Sequence, residues 1–132
     1  MTSASREPLD LAAAATARHP ALELLLVFGS RARGDARGTS DWDFGYLSRP
    51  SLDVEQLLAD LVTATRSDQV DLVDLDRAGG QLRMRAAQDG LVVFEGHPGA
   101  FAAFAFDAAS FWCDAEAVLR RAYEQLLEEA AR

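Results

Sequence analysis

A chain of 132 residues, of which 49% are apolar, is long enough to fold as a single domain around its own hydrophobic core. Its 13 basic residues stand against 21 acidic residues, which gives a formal net charge of −8. This balance argues against broad, non-specific binding to DNA or RNA, because such binding depends on cationic side chains that neutralise phosphates. We therefore predict one domain over residues 1–132 and no DNA partner.

The sequence shows no signal for export and no membrane span. No basic segment followed by an apolar stretch occurs near the N-terminus, and no run of about 20 apolar residues occurs anywhere. These absences predict a cytoplasmic protein. Cys113 is the only cysteine, so an internal disulfide is excluded, and we expect a buried thiol in the core. His19 and His97 both lie beside prolines and are expected in surface loops.

Apolar periodicity predicts an alternation of helices and strands. The first half predicts a loose tail over residues 1–8, a helix over Leu9–Arg18, a strand over Ala21–Phe28, a short helix or turn over 29–37, a loop over 38–40 and a strand over Asp41–Leu47. The second half predicts a helix over Leu52–Thr65 with Ser51 as its N-cap, a strand over Val70–Leu75, a helix over Gln81–Gln88, a strand over Leu91–Glu95 and a C-terminal helical segment over 97–132.

The C-terminal segment carries more aromatic residues than one buried helix face needs. Its apolar stripe, at alternating steps of three and four residues, predicts a helix packed on the core; the stripe comprises Phe101, Phe104, Ala108, Phe111, Ala115, Val118 and Ala122. Five aromatic residues lie within 101–112. We therefore expect some of Phe106, Phe111 and Trp112 to face a partner protein or a second copy of the chain.

Two carboxylates form the most informative motif of the chain. Asp41 and Asp43 alternate with Trp42 on a predicted strand, so the two carboxylates share one face and Trp42 points to the other, into the core. Neighbouring carboxylates repel each other unless a cation lies between them. Mg²⁺ prefers oxygen ligands and usually shares its coordination shell with substrate phosphates. The pair therefore predicts a magnesium site that works on a nucleotide.

A Gly-Ser pair precedes this motif by ten residues. Gly29 lets the backbone approach a phosphate closely, and the hydroxyl of Ser30 can donate to a phosphate oxygen. Backbone N–H groups at the start of the following turn favour an anion. Arg31 and Arg33 lie beside the pair, and two interpretations of them stay open: contact with phosphate, or a solvated helix face.

A third carboxylate would complete the arrangement, as a second metal ligand or as a general base. The strand Val70–Leu75 offers Asp71 near its middle and Asp74 three residues later, on the opposite face. We expect Asp71 to face Asp41 and Asp43 across neighbouring strands. Asp74 or Asp76 is expected to end the strand or to cap a helix.

Three segments carry a family resemblance: GSRARG at 29–34, SDWDF at 40–44 and VDLVDL at 70–75. Together they resemble the DNA polymerase β-type nucleotidyltransferase superfamily and, more narrowly, its minimal nucleotidyltransferase (MNT) group. The strand Leu91–Glu95 and the helical tail also fit, so the resemblance covers nearly the whole domain. Trp42 is bulkier than the aliphatic residue expected between the two aspartates.

The resemblance implies an α/β (α+β) fold, with a small mixed β-sheet flanked by helices and a C-terminal helical tail. It implies that Asp41, Asp43 and Asp71 are catalytic metal ligands for one or two Mg²⁺ ions. It also implies that Gly29 and Ser30 contact the triphosphate of ATP, the substrate. Arg31 and Arg33 are the further candidates for nucleotide binding.

Members of the MNT group commonly act as antitoxins beside a HEPN-domain ribonuclease toxin. The resemblance therefore implies an enzyme that moves AMP from ATP to a tyrosine of a HEPN toxin, with Asp71 helping to activate the tyrosine hydroxyl. Two alternatives stay open. One is an antitoxin that acts by direct binding without catalysis. The other is transfer to a small molecule such as an aminoglycoside, for which little chain remains to build a dedicated substrate domain.

Overall fold

The computed structural model of this chain describes residues 3–34 and 41–131. Its helices are α1 (Ser3–Ala15), α2 (Ser30–Arg33), α3 (Val54–Thr65), α4 (Gly80–Asp89) and α5 (Ala100–Ala130), with a 3-10 turn over Thr16–Arg18. Its strands are β1 (Leu22–Phe28), β2 (Trp42–Ser48), β3 (Val70–Asp74) and β4 (Leu91–Glu95). The segment 35–40, which contains the predicted loop over 38–40, lies outside the described residues.

The four strands form one mixed sheet in the order β3-β2-β1-β4. β1 pairs antiparallel with both β2 and β4, whereas β2 and β3 run parallel. Six of the seven residues of β1 are buried, and this near-continuous apolar run suits a strand covered on both faces. The predicted mixed sheet flanked by helices is therefore confirmed.

Each face of the sheet carries its own hydrophobic core, because side chains alternate along every strand. One core joins the sheet to α1 and α3; it contains Ala12, Leu22, Leu25, Val27, Trp42, Phe44, Tyr46, Leu57, Leu61 and Ala64. The other joins the sheet to α4 and α5; it contains Leu24, Leu26, Phe28, Leu75, Ala86, Ala100, Phe104 and Ala108. The sheet is thus the middle layer of three, and the candidate site opens on the α4–α5 side.

Most element boundaries differ by one to three residues from the predicted ones, and two differences at helix starts bear on the sequence analysis. α1 begins at Ser3, so residues 3–8 are helical and not the expected loose tail. Pro8 is the sixth residue of α1, so α1 lacks one backbone hydrogen bond there, because proline has no N–H to donate to the carbonyl four residues earlier. α3 is capped by Asp53 instead of Ser51, since the Asp53 carboxylate accepts the N–H of Gln56 at 3.1 Å.

A buried hydrogen-bond network ties the end of the first helical segment to α3. His19 is 5% exposed, and its Nε2 lies 2.7 Å from Oδ2 of Asp60, so the expected surface position of His19 is wrong. Gln56 donates to the same carboxylate at 3.0 Å, and Arg18 lies 3.5 Å from it. Burial alone would raise the pKa of Asp60, but the hydrogen bonds from His19 and Gln56, with the charge of Arg18, lower it below its ordinary 3.8.

This lowered pKa predicts an acid-labile contribution to stability. Because the folded carboxyl of Asp60 binds its proton more weakly than the unfolded one, the contribution is present above the ordinary value of 3.8 and is lost as pH falls through the lower folded pKa. At neutral pH, Asp60→Asn should lower the free energy of unfolding by about 1–3 kcal/mol, because a buried network is broken. Urea titrations at decreasing pH should show this difference shrinking below about pH 4; a constant difference would contradict the assignment.

The long helix α5 packs on the domain only along its first part. Ala100, Phe104 and Ala108 are buried in the second core, whereas the stripe residues Phe111 and Val118 are more than half exposed. The predicted core stripe therefore ends at Ala108, since the neighbouring helix α4 is only 10 residues long. Within the described residues, no helix is both long enough and apolar enough to cross a membrane.

Two predictions from the sequence concern residues on the exposed part of α5. Cys113 lies on it and is exposed, so the expected core thiol is wrong. Phe106 and Phe111 are 73% and 57% exposed, in agreement with the expectation that aromatic residues here lie outside the core. The apolar side chains Val118, Leu119, Tyr123, Leu126 and Leu127 continue this surface to the end of the helix, and we call these five residues the outer face of α5.

Candidate active site

A cavity of about 1010 Å³ opens on one face of the sheet. Its walls come from the end of β1 with the turn that follows, from the starts of β2 and β3, and from α4. The lining residues are Phe28, Gly29, Ser30, Arg33, Asp41, Asp43, Asp71, Leu72, Val73, Leu82 and Arg85. Six of the seven candidate site residues predicted from the sequence therefore lie in one cavity.

Strand register brings the three predicted acids together. Asp43 of β2 is the direct neighbour of Asp71 on the parallel strand β3, so the two carboxylates project from the same face of the sheet. Asp41 lies just before β2 and lines the same cavity. Burial raises the pKa of Asp43, and the charges of Asp71 and Asp41 raise it further, against a smaller opposing effect of Arg85 and Arg33. The site therefore concentrates negative charge that a cation would relieve.

The chemistry of these donors fits magnesium that arrives with a nucleotide. Among the described residues, no group of three His, Cys, Asp or Glu side chains forms a preassembled metal cage. Mg²⁺ is usually held by one or two carboxylates together with substrate phosphates, and does not need an all-protein cage. Asp41 and Asp43 can supply the protein share of such a shell. Their assignment as metal ligands stays a prediction.

Gly29 fits its position for two independent reasons. Its backbone has φ 73° and ψ −155°, a region that glycine alone occupies readily. A Cβ atom at this position would lie 2.5 Å from Oδ2 of Asp43, so a side chain would displace that carboxylate. The carbonyl of Gly29 accepts the N–H groups of Ala32 and Arg33, each at 3.1 Å, which fixes the single turn of α2. Gly29 and Asp43 therefore lie in close contact.

The two arginines of α2 point in different directions. Arg33 lines the cavity, and its Nη1 lies 3.7 Å from Oδ2 of Asp89 on α4. The guanidinium of Arg31 lies 4.3 Å from the ring centroid of Trp42, so Arg31 packs on the opposite side of β2 and does not line the cavity. Trp42 is 5% exposed in the α1–α3 core, as predicted. Of the two candidates, only Arg33 is placed to contact a nucleotide.

The fourth aspartate of the region has a structural role. Asp74 lies beside Tyr46 on β2, in a register that turns it away from the cavity. Its Oδ1 accepts the N–H of Asp76 at 3.0 Å, which closes the turn after β3. The expectation that Asp74 ends the strand is confirmed.

Sequence reasoning missed the α4 wall of the cavity. Leu82 and Arg85 line the cavity, and Asp89 holds Arg33. These residues are spaced three and four apart, which places them on one helix face. That spacing was readable in the sequence, but α4 is mostly polar and no recognised motif drew attention to it.

Comparison with known proteins gives a consistent result. The family model described as Polymerase beta, Nucleotidyltransferase matches residues 12–98. The protein adenylyltransferase MntA of Aphanizomenon flos-aquae is 32% identical over 88 residues, which cover 58% of this chain and 59% of that protein. The chain thus matches less than two thirds of the length of this curated relative.

Two solved structures share the fold. A chain in a crystal structure of a toxin-antitoxin with AMP-PNP is 27% identical, with a TM-score of 0.66 over 82% of this chain and 88% of that chain. A chain in the complex of tri-AMPylated Shewanella oneidensis HEPN toxin with MNT antitoxin is 23% identical, with a TM-score of 0.64 over 90% of this chain and 98% of that chain. At that identity, the second likeness shows the fold alone.

Proposed function

Because the chain belongs to the polymerase beta nucleotidyltransferase family, we propose that it is an antitoxin that transfers AMP from ATP to a tyrosine of a partner HEPN toxin. The observation that carries this proposal is the meeting of Gly29 and Ser30 with Asp41, Asp43 and Asp71 in one cavity. The similarity to a protein adenylyltransferase, and to a chain of a toxin-antitoxin with AMP-PNP, supports the same reaction.

The transfer exchanges one phosphorus–oxygen bond for another. The acceptor hydroxyl attacks the α-phosphorus, and the bond from this phosphorus to the bridging oxygen of the β-phosphate breaks, so that pyrophosphate leaves with the electron pair. Asp71, an exposed carboxylate on the cavity wall, takes the proton of the hydroxyl. Ser30 donates its hydroxyl to a phosphate oxygen, and Gly29 lets the backbone approach the triphosphate. Asp41 and Asp43 would hold Mg²⁺, which would neutralise part of the negative charge on the triphosphate.

The test is the intact mass of the HEPN protein encoded beside this chain, after incubation with this chain, ATP and Mg²⁺. A gain of whole AMP units, mapped to tyrosine by fragmentation, is the expected result. A stable complex without any mass gain would favour neutralisation by direct binding. AMP on members of a small-molecule panel, with none on the HEPN protein, would favour a small-molecule acceptor.

We further propose that the outer face of α5 binds this partner. Its five apolar side chains are all more than half exposed, which is unusual for a helix of an isolated soluble domain. Binding through this face leaves the cavity open, because no residue of α5 lines it.

Substituting this face should separate partner binding from nucleotide binding. The double variant Leu119→Glu and Leu126→Glu places charge where apolar contact is needed, and these side chains are 70% and 64% exposed, so the fold should tolerate the change. We expect affinity for the HEPN protein to fall at least about 100-fold, with ATP affinity unchanged. Gel filtration and calorimetry measure both, with Glu116→Gln and Glu124→Gln as the matched control. Retained complex formation would place the partner elsewhere.

A further inference from the structure

Arg85 lies at the centre of the α4 face that closes the cavity. One helical turn before it, Leu82 lines the same cavity. About one turn after it, Asp89 pairs with Arg33 of α2, so this end of α4 is held beside the turn that contains Gly29 and Ser30. The guanidinium of Arg85 is therefore presented to the cavity near the segment that is expected to hold the triphosphate.

The two cationic side chains of the cavity wall, Arg33 and Arg85, differ in whether they pair with another side chain. Arg33 pairs with Asp89 at 3.7 Å. Within residues 3–34 and 41–131, Arg85 makes no hydrogen bond and no ion pair. Its positive charge nevertheless acts on Asp43, whose pKa it lowers. Arg85 is also exposed, so its guanidinium can reorient without breaking a protein contact.

The charges on the cavity wall indicate that a cationic side chain such as Arg85 is needed when a nucleoside triphosphate binds. Asp41, Asp43 and Asp71 place three carboxylates on the wall, against the cations of Arg33 and Arg85. A nucleoside triphosphate adds further negative charge, and a cation bound by the carboxylates offsets only part of it. A guanidinium presents a planar fork of N–H donors that matches two phosphate oxygens at once.

We propose that Arg85 binds the β- and γ-phosphates of the nucleoside triphosphate and so makes the site selective for triphosphates over monophosphates. This inference rests on the proposed nucleotidyl transfer. The α-phosphate must lie near Asp71 for attack by the acceptor, so the part of the nucleotide beside α2 and Arg85 is the part that leaves. As the bond between the α-phosphorus and the bridging oxygen breaks, negative charge grows on the pyrophosphate, and the guanidinium stabilises it.

The test is calorimetric binding of ATP and of AMP to the full chain in the presence of Mg²⁺. We expect Arg85→Gln to raise the Kd for ATP at least about tenfold while the Kd for AMP changes less than about twofold. Arg85→Lys should recover part of the loss, because it restores the charge without the fork. Arg77→Gln is the matched control, since this arginine is exposed and does not line the cavity.

The outcomes separate this inference from the proposed function. If the wild-type chain binds ATP and Arg85→Gln binds it equally well, Arg85 has no role in phosphate binding, whereas the proposed transfer still stands. If Arg85→Gln weakens the binding of ATP and the binding of AMP to the same extent, Arg85 does not contact the β- and γ-phosphates and the inference is wrong. If the wild-type chain does not bind ATP, both proposals fail together.

Discussion

Asp43→Asn is expected to lower the rate of AMP transfer by at least about 1000-fold, on the order of 4 kcal/mol in activation free energy. The substitution keeps the shape of the side chain but removes the charge that the proposed nucleotide-bound cation would need. Asp43 lies at the point where the Gly-Ser turn, Asp41 and Asp71 meet, so no neighbouring carboxylate occupies its position. The rate is measured as AMP incorporated into the HEPN protein over time, under excess ATP.

The same variant should be at least as resistant to heat as the wild type when magnesium is absent. Burial and the charges of Asp71 and Asp41 raise the pKa of Asp43, which means that its ionised form is disfavoured in the folded protein. Removing that charge relieves the repulsion. Thermal unfolding followed by circular dichroism gives the comparison, with the exposed residue Asp68 changed to Asn as control. A variant that keeps a tenth of the wild-type rate, or that melts several degrees lower, would contradict this account.

Gly29→Ala is expected to abolish ATP binding and to lower the free energy of unfolding by about 1–3 kcal/mol. The first effect follows from the clash, because the new Cβ atom would lie 2.5 Å from Oδ2 of Asp43 and would push this carboxylate out of place. The second follows from the backbone, since alanine disfavours the φ of 73° and ψ of −155° found here. Chemical denaturation and calorimetry measure the two effects separately.

Gly34→Ala separates these two effects. Gly34 also has a positive φ, 82°, but a Cβ atom there meets no atom of the described residues within 4 Å. This control should lose about 1 kcal/mol of stability from backbone strain while it keeps its affinity for ATP. Equal loss of ATP affinity in both variants would show that strain in the turn, and not the contact with Asp43, controls the site.

Side-chain alternation on strands made most of the candidate site predictable. Asp41 and Asp43 had to share a face once a strand was assigned, and Asp71 had to join them once its strand lay beside theirs. The same alternation placed Trp42 on the opposite face of the sheet, in the core with α1 and α3. The parallel register between β2 and β3, which makes Asp43 and Asp71 direct neighbours, depends on tertiary pairing that no local pattern specifies.

The errors arose where a distant part of the chain decides the environment. Cys113 is exposed because α4 begins beside Phe111, at Gly80, and does not extend along α5 as far as Cys113. His19 is buried because Asp60, 41 residues away, pairs with it. For Arg31 the sequence left two interpretations open, and its guanidinium lies against the ring of Trp42, away from the cavity. Arg85 was missed because its importance depends on which face of α4 meets the sheet.

The part of α5 beyond Ala108 packs little against the rest of the domain, and this affects the lifetime of the free protein. The helix has 31 residues, and beyond its buried first part it is held mainly by its own backbone hydrogen bonds. Such a segment opens locally at a far smaller free-energy cost than the unfolding of the whole domain. Proteases would reach the open segment first, so we expect a chain whose helix is uncovered to be degraded faster than one whose helix is covered. Turnover of the protein would thereby follow how much of it is bound.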